Sequence, residues 1–209
     1  MSTALGPERG HRRVRLPRNE RSEQLLDVAE RLFALQGYEN TSMEDIARSA
    51  GVTRPVVYDH HPSKEAIFLA CVRRARRELE DRLDELQVSP DGEDALPDVI
   101  QRGGDVFFEI LERDPRRWAV LFGSSSALTG ELGRQLDQLR AGTIERIADA
   151  ARRSAPDADP DRLVAYAYAI SGVGEQLGRW WLTRPDVSRD QVVGYHRDFI
   201  VHGLTPLQR

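Results

Sequence analysis

Residues 41–60 read TSMEDIARSAGVTRPVVYDH, and this stretch decides the fold. Thr41 and Glu44 have the spacing of a capping box, in which the hydroxyl accepts from the Glu44 amide and the carboxylate reaches back to the Thr41 amide. A helix is predicted to start here, with Ile46, Ala47 and Ala50 on its inner side. Gly51 follows where the chain must turn sharply, and glycine tolerates a positive φ there. Thr53 is placed to cap a second helix, and Pro55 suits its first turn. Val57 lies ten residues beyond Ala47. Two helices crossing steeply over a short turn need a small residue at the crossing (Ala47), a flexible turn (Gly51) and apolar plugs (Ile46, Val52, Val57). The set describes a helix-turn-helix. An ordinary αα-corner uses the same spacing, so the two readings part only on what surrounds the motif.

Upstream, Leu25, Val28, Ala29, Leu32 and Phe33 recur on one helical face, from about Glu20 to the stop at Gly37. Residues 20–66 are thus predicted to form a three-helix unit. Residues 1–19 hold Gly6, Pro7, Gly10 and Pro17 among Arg9, Arg12, Arg13, Arg15 and Arg18, and read as a flexible basic arm. A long helix is predicted from Ser63 to about Leu86. Further helices follow at about 94–112, 115–122, 126–153, 160–183 and 189–203, separated by proline- and glycine-bearing breaks. Nothing alternates with period two. The fold class is all-α: a helix-turn-helix domain, then a larger helical domain over 67–209.

The chain has 209 residues and a formal net charge of -4, which taken whole argues against a nucleic-acid partner. Resolved along the chain, residues 1–77 hold 14 basic and 10 acidic groups, and the remainder 16 and 24. A net +4 front is joined to a net -8 back, the usual trace of a nucleic-acid-facing module attached to something that is not. Hydrophobic residues make up 40% and charged residues 31%, which excludes a disordered or fibrous chain. No apolar run is long enough to span a bilayer, and the arginine-bearing N-terminus has no secretory apolar core. One cysteine excludes an internal disulfide, so a reduced, cytoplasmic setting is expected.

The run Gly37-Tyr38-Glu39-Asn40-Thr41-Ser42-Met43-Glu44-Asp45-Ile46-Ala47, then Ala50-Gly51-Val52-Thr53, Tyr58, His60 and Ser63-Lys64-Glu65, resembles the TetR family of bacterial transcription regulators. The resemblance covers about residues 20–70. It implies a homodimer that sets its second short helix into the major groove of a near-palindromic operator. It also implies a C-terminal domain that binds a small molecule, pairs the subunits through the last two helices, and releases the DNA on ligand binding. Carried over by position, Thr41 and Ser42 would contact phosphate at a helix N-terminus. Thr53 would open the reading helix, and Arg54 would read guanine. Pro55 and Val56 would meet thymine methyls, Tyr58 and His60 would reach the phosphates, and Lys64 would add a point charge. Two positions depart from the family pattern. His61 stands where a phenylalanine is usual, and Asp59 places a carboxylate in the reading helix.

In the helix at about 160–183, Leu163, Tyr166, Ile170, Val173, Leu177 and Trp180 form a bulky stripe. Ala167, Ser171, Gly174 and Gly178 form a small-residue track beside it, which lets another helix approach closely. Phe107 and Phe108 flank the helix at about 94–112, and Trp118 and Phe122 follow it. With Tyr166, Tyr168 and Ile170, these aromatics could wall an apolar ligand cavity, with Glu175 or Gln176 supplying polar selectivity. Plain core packing explains them equally well. His196 and His202 point about 120° apart on a helix, so no shared metal is expected. Cofactors and catalytic constellations are not apparent. The reading is a ligand-responsive DNA-binding regulator, a repressor released from its operator by a small hydrophobic ligand, and not an enzyme. The competing readings are a helical small-molecule-binding protein without specific DNA binding, and an enzyme such as a recombinase that uses the motif only to find DNA.

Overall fold

The computed structural model describes residues 16–85, 96–124 and 128–204. Within them lie nine helices and no strand: α1 (Arg18–Gln36), α2 (Met43–Ser49), α3 (Arg54–His60), α4 (Lys64–Asp84), α5 (Leu96–Arg113), α6 (Pro115–Ser124), α7 (Gly130–Ser154), α8 (Pro160–Trp181) and α9 (Arg189–Leu204). The all-α expectation holds. Residues 1–15 of the basic arm lie outside the described residues, and α1 already begins at Arg18.

The α1 periodicity becomes burial of Leu25, Val28, Ala29 and Phe33. Phe33 meets Phe68 of α4 edge-on at 5.1 Å, and Tyr38 lies 4.9 Å from the same ring. Each such buried side chain stabilises by about 1.5–3 kcal/mol. Ser63 starts α4 by accepting from the Ala66 amide at 3.1 Å. This helix then runs on into the body. Its first half buries Ile67, Phe68, Cys71 and Val72, and its second half Ala75 and Leu79. Cys71, at 1% exposure, is packing material.

α1 packs on α6 as well as on α4, α5 packs on α9, and α7 on α8. One apolar core runs without a break from Leu25 to Val193. The small-residue track of α8 does admit another helix closely, and that helix is α5 of the same chain. A Cβ at Gly178 would sit 2.9 Å from the Leu111 side chain and 3.3 Å from that of Phe107.

The α1–α4 contact also carries charge. Arg74 of α4 reaches Glu23 at 2.7 Å, Asp27 at 2.9 Å and Glu30 at 2.7 Å, all on α1. Its side chain is 14% exposed and that of Glu30 is 6% exposed, whereas Glu23 and Asp27 face solvent. Burial disfavours the guanidinium charge, but the three carboxylates outweigh it and hold Arg74 firmly protonated.

Candidate nucleic-acid interface and ligand cavity

Ala47 is 2% exposed at the crossing of α2 and α3, and Ile46 and Val57 are fully buried between them. Gly51 takes φ +65°, so the turn needs the residue it has. The capping box is one residue later than expected. Ser42 is the N-cap: its hydroxyl accepts from the Asp45 amide at 3.1 Å, and Asp45 accepts from the Ser42 amide at 3.1 Å. The Ser42 hydroxyl and then the Ser42 amide, both donating to the carboxylate, hold the Asp45 carboxyl below its ordinary range. Thr41 is instead 2% exposed, and its hydroxyl donates to the Gly37 carbonyl at 2.8 Å, closing the end of α1. Of the two expected phosphate contacts at this helix start, only the Ser42 side chain faces solvent. Glu44 pairs with Arg54 at 3.5 Å rather than with Thr41.

Thr53 occupies the N-cap of α3 but makes no capping hydrogen bond, and Pro55 lies in the first turn. Thr53, Arg54, Pro55 and Tyr58 are exposed, and Val56 and His60 are partly so. Arg54 lies over the Tyr58 ring at 5.7 Å, which orients its guanidinium along the outer face of α3. Lys64 donates to the carbonyls of Tyr38 at 3.1 Å and Glu39 at 3.4 Å and sits 4.3 Å over the Tyr38 ring. It is therefore a braced cation and not a free point charge. His61, the C-cap of α3, is buried with its Nε2 unpaired, and burial pushes its imidazole below the usual range. Arg18 donates to the Asp59 carbonyl at 3.2 Å, tying the start of α1 to the end of α3.

A second site lies inside the body. A cavity of about 190 Å³ is walled by α4, α5, α6, α7, α8 and α9. Phe107, Trp118, Ile170 and Glu175 line it, as the sequence suggested. Tyr166 does not. It packs beside Ile100, Leu163 and Ile200, and its hydroxyl accepts from Arg162 at 3.1 Å. Tyr168 is 57% exposed, and Gln176 is exposed. Phe122 falls in α6, but its side chain lies outside the described residues. The wall also holds groups the sequence reading passed over: Arg76, Thr143, Arg146 and His196. The available signal was a glycine pair. Gly104 sits so close to His196 that a Cβ there would lie 2.9 Å from Nδ1.

His196 is 4% exposed, and burial pushes its imidazole down to about 4. An unfolded chain takes up that proton near pH 6.5. The stability supplied by neutral His196 is therefore complete above pH 6.5 and falls as the pH drops toward 4. From pH 7.5 to pH 5 this one group is expected to cost about 2 kcal/mol. Urea unfolding at the two pH values should show that loss in the native chain. A His196→Leu variant should lack this share of it.

A third feature is an apolar outer face. Tyr168 and Trp180 of α8 and Tyr195 and Phe199 of α9 stand 57%, 37%, 49% and 67% exposed. The rings of Trp180 and Tyr195 meet across the two helices at 6.4 Å. The small-residue track plays no part in it, since Gly174 and Gly178 face inward toward Phe107.

Residues 25–71 match the model for bacterial regulatory proteins of the tetR family. Over 97% of its length the chain is 30% identical to the HTH-type transcriptional activator FasR of Mycolicibacterium smegmatis, covering 93% of that protein. A TetR-like transcriptional regulator from Rhodococcus sp. RHA1 superposes with a TM-score of 0.72 at 24% identity, over 91% of this chain and 98% of that one. AibR, solved in complex with isovaleryl coenzyme A and operator DNA, superposes with a TM-score of 0.69 at 19% identity, over 86% and 97%.

Proposed function

Because the chain belongs to the TetR family of bacterial regulators and is a DNA-binding transcriptional regulator rather than an enzyme, we propose that it holds a palindromic operator as a homodimer in the cytoplasm and lets go when a small hydrophobic ligand fills its cavity. The observation that carries this reading is the course of α4. Its first turns build the core of the head through Ile67 and Phe68, and its later turns wall the cavity with Arg76, Leu79 and Leu83. A molecule that moves the second half of this helix moves the head with it. In a dimer, two heads shifted apart no longer match two successive major grooves. AibR, which was solved with both a small molecule and operator DNA, supports pairing the two sites in one chain.

In this reading the DNA contacts are Ser42 and Thr53 at the helix starts, Arg54, Pro55, Val56 and Tyr58 on the reading face, and His60 and Lys64 toward the backbone. Thr41 contributes through the fold of the α1–α2 loop. The ligand meets Phe107, Trp118, Ile170 and Glu175. By occupying its operator the protein acts as a repressor. FasR carries the name of an activator, so a reporter driven by the selected operator decides the sign.

The first test is selection of bound sequences from a random DNA pool. Recovery of a palindrome supports the reading, and no enrichment at low salt sinks it. Against the selected site, Arg54→Ala is expected to lose about 1–3 kcal/mol of discrimination at one base pair of each half-site while dimerisation is kept. Uniform weakening across all sequences would make Arg54 a phosphate contact instead.

A further inference from the structure

The cavity wall carries both signs of charge, but they are not evenly matched. Its carboxylates each have an arginine: Asp84 pairs with Arg146 at 3.4 Å, Glu175 with Arg140 at 3.1 Å, and Asp149 with Arg152. Its arginines do not each have a carboxylate. Among the described residues, neither Arg76 nor Arg153 has an ion-pair partner. Arg153 is exposed, and water can solvate it. Arg76 lies deeper. It donates from Nη1 to the Thr143 hydroxyl at 3.1 Å, and its Nε is buried without a partner. Burial above all disfavours its charge, against the nearby carboxylates Glu175 and Glu80, which Arg140 and Arg146 already engage.

A guanidinium half-met in a largely apolar chamber is matched by a planar, charged oxygen acceptor. The remaining wall is Leu79, Leu83, Val99, Phe107, Trp118 and Ile170, which suits a hydrocarbon body. The space is about 190 Å³, whereas a dry cavity of about 150 Å³ accommodates benzene. We propose that the ligand is a small organic acid whose apolar body fills the cavity and whose carboxylate pairs with Arg76. This rests on the cavity being the ligand site, as proposed above.

Octanoate, 1-octanol and octylamine share one tail and differ in head charge. Each is titrated into the full-length protein by calorimetry at pH 7.5. Octanoate is expected to bind about tenfold or more tightly than octanol, with octylamine weakest. Arg76→Gln should bring acid and alcohol to equal affinity, and Arg76→Lys should keep the preference. If the native chain binds octanol or octylamine as tightly as octanoate, the carboxylate is overturned while the cavity stands, and this outcome needs no variant to fold. If none of the three binds, the ligand site itself falls, and the acid with it. Octanoyl coenzyme A binding more tightly than octanoate, and undiminished by Arg76→Gln, would place the recognised charge outside the cavity and also overturn the proposal.

Discussion

A chain carrying Phe199→Glu is expected to sediment as a monomer and to hold its operator about a hundred- to ten-thousandfold more weakly than the native protein. Phe199 is the most exposed of the four aromatics on the outer face of α8 and α9. A carboxylate there would meet its own symmetry copy, or the copy's Tyr195, in a two-fold interface. Burying it unpaired costs more than a modest interface gains. The monomer keeps its core, because Phe199 is not one of the buried core side chains. It still reads one half-site, but the second half-site is no longer delivered by the first. Thermal unfolding should stay close to native once dimer dissociation is allowed for. A variant that remains dimeric and binds normally would move the pairing surface elsewhere.

Arg74→Met is expected to destabilise the chain by about 3–5 kcal/mol, the largest loss expected of any single surface-connected residue here. The reason is Glu30 and not the number of ion pairs. Glu23 and Asp27 are well solvated and contribute little. Glu30 has a side chain only 6% exposed, and without Arg74 its carboxylate is left in the α1–α4 interface with its main counter-ion gone. Denaturant unfolding of Arg74→Met and of the double variant Arg74→Met/Glu30→Gln separates the two effects. The double variant should recover more than half of the loss, because it removes the stranded charge. Equal destabilisation in both would mean that the packing of the Arg74 stem, and not its charge, holds α1 to α4.

Much of this was legible in the sequence, and the parts that were not share a cause. The helix-turn-helix is a local steric problem, and Ala47, Gly51 and Val57 solve it within eleven residues. The capping box is local too, yet it slipped by one. Thr41–Glu44 and Ser42–Asp45 both satisfy the spacing, and what decides between them is that Thr41 is buried against the end of α1. Tyr166 and Ile170 share one face of α8, and in sequence nothing tells them apart. One turn separates them, and both pack against the cluster of Ile100, Leu163 and Ile200, but only Ile170 also reaches the cavity. Nothing local in the sequence marks Arg76 and His196 as groups of one cavity wall. They come from helices 120 residues apart, and in sequence a buried arginine looks like a solvated one.

The core that runs unbroken from Leu25 to Val193 has a bearing on how such chains can be recombined. α1 rests on α6 as well as on α4, so the reading head is seated on a surface shaped by residues a hundred positions away. Grafting this head onto a relative's body would join two halves of a socket cut for different plugs, even where the linker sequence matches. A working hybrid should need the facing residues of α6 and the second half of α4 to travel with the head. Operator choice and effector choice are thus inherited together more readily than the small size of the DNA-reading motif would lead one to expect.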